Sequence, residues 1–553
     1  MKKKATTILN NHKERLVFLS IGVIIFLVHG PLLRLGFFSD DYHMLHIVAQ
    51  NTQSIIDIFK TNLLGTNIGH SYGPVFKLLF IAEYKLFGLN PLGYHVVSLL
   101  LHFFATIAVY YVAKIFAPKS QIPAAAAILF SVMPVHVNAI AWISVQPHLL
   151  ATVGFLCAIM WYLTYKNTNR VQWLVLSLVA TGIALGAKDT AITILPIIGI
   201  IELFTYKKRQ VQKGSTTKHQ TFNAVLSDMK KRAIGVLPYI MITLGYLLLR
   251  SHATGSATAA YTGSLAVNFG NMERMFTEMT AAIFFPEWRM HLAVFMHTGA
   301  YVVLPIAIGF FGVLLYLIRK NKGMVLLLSL YVVSTVPFLF VAFNQINEEG
   351  NRYVYLSSTI AVILCSICLH LLTIHHKKRQ HLFALLIMLI FFINIQATQL
   401  RFSYWQTADT LVKELIHSEN IDQLDEQTPY TIIALPDNVQ GAQVMRNAIF
   451  EAIELERGKK LTGERIPMYT YHDAFKPTQE LTVSYKDSQI EIIRTYDHNG
   501  FTGFGAFESP TGLYTITNWD KWGSIGDSIT ITPSTLKQLL YVSHGQLRLE
   551  KVE

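Results

Sequence analysis

A chain of 553 residues that is 52% hydrophobic and only 14% charged falls well short of the roughly 25% charge of an ordinary soluble domain, which excludes a simple soluble enzyme and marks a membrane protein. Its formal net charge of +12 does not indicate nucleic-acid binding, because the Lys and Arg residues collect in loops between apolar runs, where they set orientation. The three cysteines, Cys157, Cys365 and Cys368, lie inside apolar runs, so neither a disulfide framework nor a zinc site is indicated.

A helix of about 20 apolar residues spans a bilayer. Such runs fall at 16–36, 92–113, 121–141, 143–165, 171–187, 190–206, 233–250, 299–318, 323–343, 353–374 and 382–399, which predicts eleven transmembrane helices. The first run is too long for a secretory h-region and no small-residue cleavage site follows, so it reads as an anchor. Alternation places Lys2-Lys3-Lys4, Lys114 with Lys119, Lys166 with Arg170, the Lys207–Arg232 loop, Arg319-Lys320 and Lys377-Lys378-Arg379 on one face. By the positive-inside rule that face is the cytoplasm, with the N-terminus inside and the C-terminus outside a plasma membrane.

Directly after the first run comes Phe38-Ser39-Asp40-Asp41-Tyr42-His43. Charge at the membrane edge is costly without a task, so Asp40 and Asp41 are candidate catalytic groups; the competing reading is a helix N-cap. The segment Pro74–Phe87 is apolar yet carries Lys77, Glu83 and Lys85, which predicts a helix lying at the interface, ended by Gly88 and Asn90-Pro91. Pro134, His136, Asn138, Trp142, Gln146 and His148 sit at membrane depth, where polar groups need protein or water around them, as in a cavity wall. A hairpin puts Lys188-Asp189 outside, a second surface helix is expected near Phe284–Arg289, and Asn351-Arg352-Tyr353 opens the tenth run.

From Phe402 the composition changes. Helical periodicity covers 405–418, a buried strand 431–436 and a second helix 441–457, with alternating strands near 481–485, 490–496, 513–517 and 528–532. The predicted fold is a polytopic α-helical membrane protein, residues 1–403, followed by a C-terminal extracytoplasmic α/β domain, residues 404–553. That domain reads as an acceptor-binding or gating module without catalytic residues; Trp519 and Trp522 either fill its core or stack on sugar rings.

Asp40, Asp41, His43, His136, His148, Lys188, Asp189 and Arg352 come from separate outer loops that a helix bundle can gather. Carboxylates beside fixed cations at the lipid edge suit a reaction on a membrane-borne anion such as a lipid-linked phosphosugar: the cation holds the phosphate leaving group while a carboxylate deprotonates an acceptor hydroxyl. Lys188 and Arg352 have the alternative of anchoring helix ends by snorkelling, and His95 and His102 that of packing. His43, His70, His136 and His148 lack ligand spacing, so no metal residue is assigned, although a divalent ion remains open. A transporter or flippase of lipid-linked sugars, or a non-catalytic scaffold, are the rival functions.

Six motifs in register carry a likeness: Phe38-Ser39-Asp40-Asp41; Asn90-Pro91-Leu92-Gly93-Tyr94-His95 running to His102; Pro134-Val135-His136 with Ala139-Ile140-Ala141-Trp142; Lys188-Asp189 leading to Pro196; Asn351-Arg352-Tyr353-Val354-Tyr355-Leu356; and Trp405. Over about residues 16–410 the chain resembles the C-type (GT-C) glycosyltransferase superfamily, and within it the transmembrane and tetratricopeptide repeat-containing O-mannosyltransferases and their prokaryotic relatives. The resemblance implies a polyprenyl-phosphate-linked sugar donor, a mannose-like hexose, and a protein or cell-surface glycan acceptor. It implies that Asp40 or Asp41 is the catalytic carboxylate and that Arg352 and Lys188 are near the donor phosphate; from their place on the outer loops, His43, His136, His148 and Tyr353 are expected to bind substrate. Gly73 stands in place of a common Arg, for which Lys77 substitutes; Asn138, Gln146 and His148 stand where relatives usually have Glu, Arg and Asp; and no tetratricopeptide repeat is recognisable in the tail.

Overall fold

The computed structural model describes residues 2–50, 54–63, 71–118, 120–204, 218–256, 276, 279–284, 322–338, 348–373, 378–433, 435–465 and, from there to 551, chiefly the strands. The chain begins with α1 (Lys2–His29), then α2 (Asp40–Ala49), α3 (Ile55–Lys60) and α4 (Pro74–Phe87). A core bundle follows: α5 (Pro91–Phe116), α6 (Ile122–Ser131), α7 (Val137–Ala141), α8 (Gln146–Thr168), α9 (Val171–Ala187), α10 (Ile194–Phe204) and α11 (Lys218–Thr254). After α12 (Lys322–Thr335) and α13 (Tyr355–Thr373), the helix α14 (Arg379–Ile416) leads into strands β1 to β12, interrupted by α15 (Ile449–Arg457).

Six helices among the described residues are long and apolar enough to cross a bilayer: Lys13–Arg34, Pro91–Phe116, Ile143–Thr168, Gly235–Thr254, Gly350–Thr373 and Arg379–Gln423. Ile122–Ser131 and Pro134–Ala141 make a seventh, bent by 51°. The bend has a local cause: a residue preceding proline is pushed out of the helical region, and Met133 accordingly sits at ψ 125°. Val171–Ala187 and Gly323–Phe338 are apolar but shorter. The eleven predicted spans are thus seen only in part. The run at 190–206 divides into a tight turn, Asp189–Thr193, and the 11-residue α10, too short to cross alone at 1.5 Å per residue. The run at 299–318 and most of the expected surface helix near 284–289 lie outside the described residues.

Leu19, Leu27, Phe104, Val179, Leu248, Met388 and Phe392 point outward from α1, α5, α9, α11 and α14, an apolar belt suited to acyl chains and costly in water. Inside, α8 packs closely on α9 because Gly154 faces Ala180 and Ala184; a Cβ at Gly154 would lie 3.0 Å from the Ala180 carbonyl oxygen and from the Ala184 methyl. Small residues let helix backbones approach where the surrounding lipid gives no hydrophobic drive.

The last span does not stop at 403. The 38-residue α14 runs through that boundary to Ile416 and buries Trp405, Leu411 and Leu415 on the far side, so no linker separates the two predicted domains. Beyond it come β1 (Pro429–Ile433), β2 (Leu435–Val439), β3 (Ala442–Gln443), β4 (Thr462–Arg465), β5 (Met468–His472), β6 (Leu481–Lys486), β7 (Gln489–Arg494), β8 (Phe501–Gly503), β9 (Tyr514–Thr517), β10 (Ser528–Pro533), β11 (Gln538–Ser543) and β12 (Gln546–Lys551), which among the described residues form three four-stranded sheets with the orders β12-β11-β1-β4, β6-β7-β10-β9 and β3-β2-β5-β8. In the first, β1 (Pro429–Ile433) runs parallel to β4 (Thr462–Arg465), with α15 lying between them in the chain. The predicted helix over 441–457 forms only from Ile449. Positive φ at Gln440, Gly441 and Ala448 instead turns 440–448 into a short hairpin, where Asn438 in β2 (Leu435–Val439) pairs with Gln443 in β3 (Ala442–Gln443).

The start of α4 touches the end of α9 backbone to backbone: a Cβ at Gly73 would stand 2.8 Å from the Ala187 carbonyl oxygen. Gly73→Ala should therefore lower stability by about 1–3 kcal/mol through forced backbone displacement, read as a fall in Tm of the detergent-solubilised protein. An unchanged Tm would contradict this packing.

Candidate active site

The chain leaving α1 turns through Gly30–Arg34 and enters α2 at Asp40. Ser39, just before it, is 1% exposed and holds φ 42°, ψ −111°, a conformation that costs a non-glycine residue about 1–3 kcal/mol and persists only where its surroundings enforce it. They do so here. The Ser39 N–H donates to the Val444 carbonyl (3.1 Å) and the Ser39 hydroxyl accepts from the Asn447 N–H (3.1 Å). Ser39 makes no side-chain cap on α2, so the N-cap reading of Ser-Asp-Asp is not what the chain adopts.

The two carboxylates that follow differ sharply. Asp41 is fully buried and accepts from the Phe38 N–H (3.0 Å), the Ser144 N–H (2.7 Å) and the Ser144 hydroxyl (2.5 Å). Burial nevertheless pushes its pKa up to about 7, the donors from Ser144 and Phe38 only partly offsetting it and Asp40 adding to it. Asp40 is half-buried, and its carboxylate accepts from the Asn447 side-chain amide at 2.7 Å.

Ser144 also connects Asp41 to the segment that packs against Arg352. Two residues upstream, the Trp142 ring lies 4.9 Å from the Arg352 guanidinium, which stacks 4.7 Å from the Tyr353 ring and donates to its hydroxyl at 3.1 Å. The His148 ring packs against Tyr353 (5.8 Å) and Phe338 (6.2 Å), and both Lys188 and Arg352 are near enough to act on it electrostatically. Lys188 sits where α9 gives way to the Asp189–Thr193 turn; its neighbour Asp189 pairs with Arg250 of α11 at 3.0 Å. An apolar groove of about 500 Å³ is lined among others by Ile192, Leu195, Leu244, Leu247 and Pro337. Two chain segments connect it to this cluster: Ile192 lies in the turn that follows Lys188, and Pro337 precedes Phe338, whose ring packs on His148.

Asp40, Asp41, Lys188, Arg352, His148 and Tyr353 thus cluster at one end of the bundle. Three expected members do not join them in the expected way. His43 turns to Glu451 of α15 at 3.1 Å, one turn from a matching His46–Glu454 pair at 3.1 Å, so it ties α2 to the tail. His136 is fully buried among His102, Phe130 and Tyr355 and hydrogen-bonded to the Ser358 hydroxyl at 2.8 Å; its place is the bundle core. Lys77, 1% exposed, donates to the Thr61 hydroxyl at 3.4 Å, and burial lowers its pKa, although its helix begins beside Gly186 and Ala187 at the end of α9.

Sequence reasoning did not single out Ser144, Phe338, Asn447 or the burial of Glu83. The last was taken for an interfacial charge; it is 2% exposed, accepts from the Gln146 amide at 3.0 Å, and is pushed by burial to a pKa of about 8. Among the described residues no three His, Cys, Asp or Glu side chains converge in a metal-holding group. His70, Trp519 and Trp522 lie outside the described residues.

In sequence, residues 71–226 match the dolichyl-phosphate-mannose-protein mannosyltransferase family. Protein O-mannosyl-transferase Tmtc1 of Drosophila melanogaster is 28% identical over 247 residues, 42% of this chain and 28% of that protein. The human Protein O-mannosyl-transferase TMTC4 is 23% identical over 410 residues, 65% of this chain and 55% of its own. The chain thus spans between about a quarter and a little over half of these two relatives' length. Among solved structures, the Archaeoglobus fulgidus oligosaccharyltransferase crystallised with Zn and sulfate aligns at a TM-score of 0.46 and 14% identity, covering 84% of this chain and 63% of that one. The resemblance to membrane O-mannosyltransferases read from the six motifs is borne out by the sequence matches.

Asp41 and Glu83 have folded-state pKa values of about 7 and about 8 against ordinary values of 3.8 and 4.5. A raised acid holds a proton that the unfolded chain gives up, so its stabilisation is full below pH 4 and is lost as the pH rises through about 7 to 8, at about 1.4 kcal/mol per unit. The Tm of the solubilised protein should therefore fall between pH 5 and 8, and Asp41→Asn and Glu83→Gln should each flatten that slope. A slope unchanged in both variants would contradict the assignment.

Proposed function

We propose that this chain is an inverting membrane glycosyltransferase that moves a sugar, a mannose-like hexose, from a polyprenyl-phosphate donor to a hydroxyl of a protein or cell-surface glycan. The observation that carries the reading is the convergence of a half-buried carboxylate, two cations from separate loops and an apolar groove at one end of a membrane bundle. The similarity to O-mannosyl-transferases supports the reaction class and favours mannose.

In this reading the isoprenoid tail lies in the groove between α11 and the Asp189–Thr193 turn, and the phosphate sits between Lys188 and Arg352. Arg352 is clamped between Trp142 and Tyr353, so its forked donors are already aimed, a geometry that a lysine does not copy. The acceptor oxygen attacks the anomeric carbon from the face opposite the phosphate. The new C–O bond forms as the bond to the phosphate oxygen breaks, the electron pair stays on the phosphate beside the two cations, and the acceptor proton passes to Asp40. Asp41, enclosed by Phe38 and Ser144, holds the loop and does not take the proton. The active face is the outer side of the plasma membrane, with residues 1–403 as the catalytic membrane part and 404–553 as the outer part.

Purified protein in nanodiscs should transfer radiolabelled mannose from a polyprenyl-phosphate donor to a membrane acceptor fraction. Asp40→Asn should cut turnover by roughly 10²–10⁴-fold, the usual worth of a general base, with donor binding retained, and Arg352→Lys should weaken donor binding despite keeping the charge. An Asp40→Asn enzyme at wild-type speed beside an inactive Asp41→Asn would move the base one residue along; full activity in both would end the catalytic reading of this pair.

A further inference from the structure

Resting on Asp40 as the base, we infer that Asn447, contributed by the part of the chain beyond the last span, is a positioning residue that aims the Asp40 carboxylate at the acceptor. Its side-chain amide donates to Asp40 Oδ1 at 2.7 Å. Asp40 would otherwise be a freely rotating side chain in the first turn of α2, and a general base works only within hydrogen-bond reach of its proton. An amide is well matched to this task. A lysine or arginine there would neutralise the carboxylate, whereas a neutral N–H donor fixes one oxygen and supplies no charge.

Asn447 can aim only if it is itself held, and it is held from both sides. Its backbone N–H donates to the strained Ser39, and Val444 accepts from the same serine. On one flank, Arg446 donates twice to Asp437, with one contact at 2.7 Å, and Asn138 of α7 reaches the Gly441 carbonyl at 3.4 Å while accepting from the Trp405 indole at 3.2 Å. On the other flank, α15 is stitched to α2 by His43–Glu451, His46–Glu454 and Tyr42–Glu456 (3.4 Å). The turn is thereby fixed to the helix that carries the base and to the bundle that carries the cations. An independent acceptor-binding or gating module need not touch the carboxylate at all; this tail does, and so completes the site.

The test uses the full chain in nanodiscs with undecaprenyl-phosphate mannose as donor and a membrane acceptor fraction. Asn447→Ala should lower kcat by roughly 10- to 100-fold with the donor KM within about twofold, the loss expected of a misaimed catalytic group. The isosteric Asn447→Asp, which sets a second carboxylate against Asp40, should lose more, and Asn447→Gln, which keeps the amide, should recover part of the rate. In an Asp40→Asn background, Asn447→Ala should cost nothing further, because the residue acts through Asp40. Wild-type kcat in Asn447→Asp, a loss confined to KM, or an additional loss in the double variant would each overturn the inference. If Asp40→Asn is itself fully active, the functional reading beneath it falls; if Asp40→Asn is inactive while Asn447→Asp is fully active, this inference alone falls.

Discussion

A carboxylate with no access to solvent organises one end of this molecule. Asp41 takes three hydrogen bonds, one from its own loop at Phe38 and two from Ser144, more than a hundred residues away in sequence. Hydrogen bonds to a charged group are worth about 1.5–3 kcal/mol each, yet burial still wins and raises the acid's pKa. That balance explains why the junction is specific. Losing Ser144 would strand a buried polar group with no water to replace the donors. Because Ser144 lies two residues after Trp142, and Trp142 carries Arg352 on its face, the Asp41 junction also joins the loop before α2 to the segment that packs against Arg352.

The neighbouring aspartates therefore differ in environment. One is enclosed and structural; the other is half-exposed, with a neutral amide on one oxygen. The same principle separates the histidines. His148 lies among aromatic rings beside the cations, His43 faces a glutamate on α15, and His136 is a core residue of the bundle. Residue type alone gives all three the same standing; surroundings decide what each does.

The membrane character, the carboxylate pair, the charged residues Lys188 and Arg352 and about half of the tail's described strands were legible in the sequence, because each leaves a local mark: a run of apolar residues, a charge at its edge, or alternation. The break at Pro134 was also legible as a polar interruption. What was not legible depends on contacts distant in sequence. Asn447 is one asparagine in a stretch whose periodicity resembles a helix, and only the positive φ values around Gly441 and Ala448 turn it toward α2. Glu83 looked interfacial because nothing local reveals that Gln146 covers it. The boundary read at 403 falls inside a helix: α14 is apolar only to about its middle, but its hydrogen-bonded backbone continues to Ile416, so composition changes where secondary structure does not.

In the proposed reaction Lys188 and Arg352 hold a lipid phosphate whose tail lies in the adjoining groove, with Asp40 facing the carbon to be attacked. A cryo-electron microscopy map of the full chain in nanodiscs with undecaprenyl phosphate tests it most directly. The account predicts phosphate density between the Lys188 ammonium and the Arg352 guanidinium, and tail density along Leu244, Leu247 and Pro337. Phosphate density at another place on the bundle, with that groove empty, would contradict it.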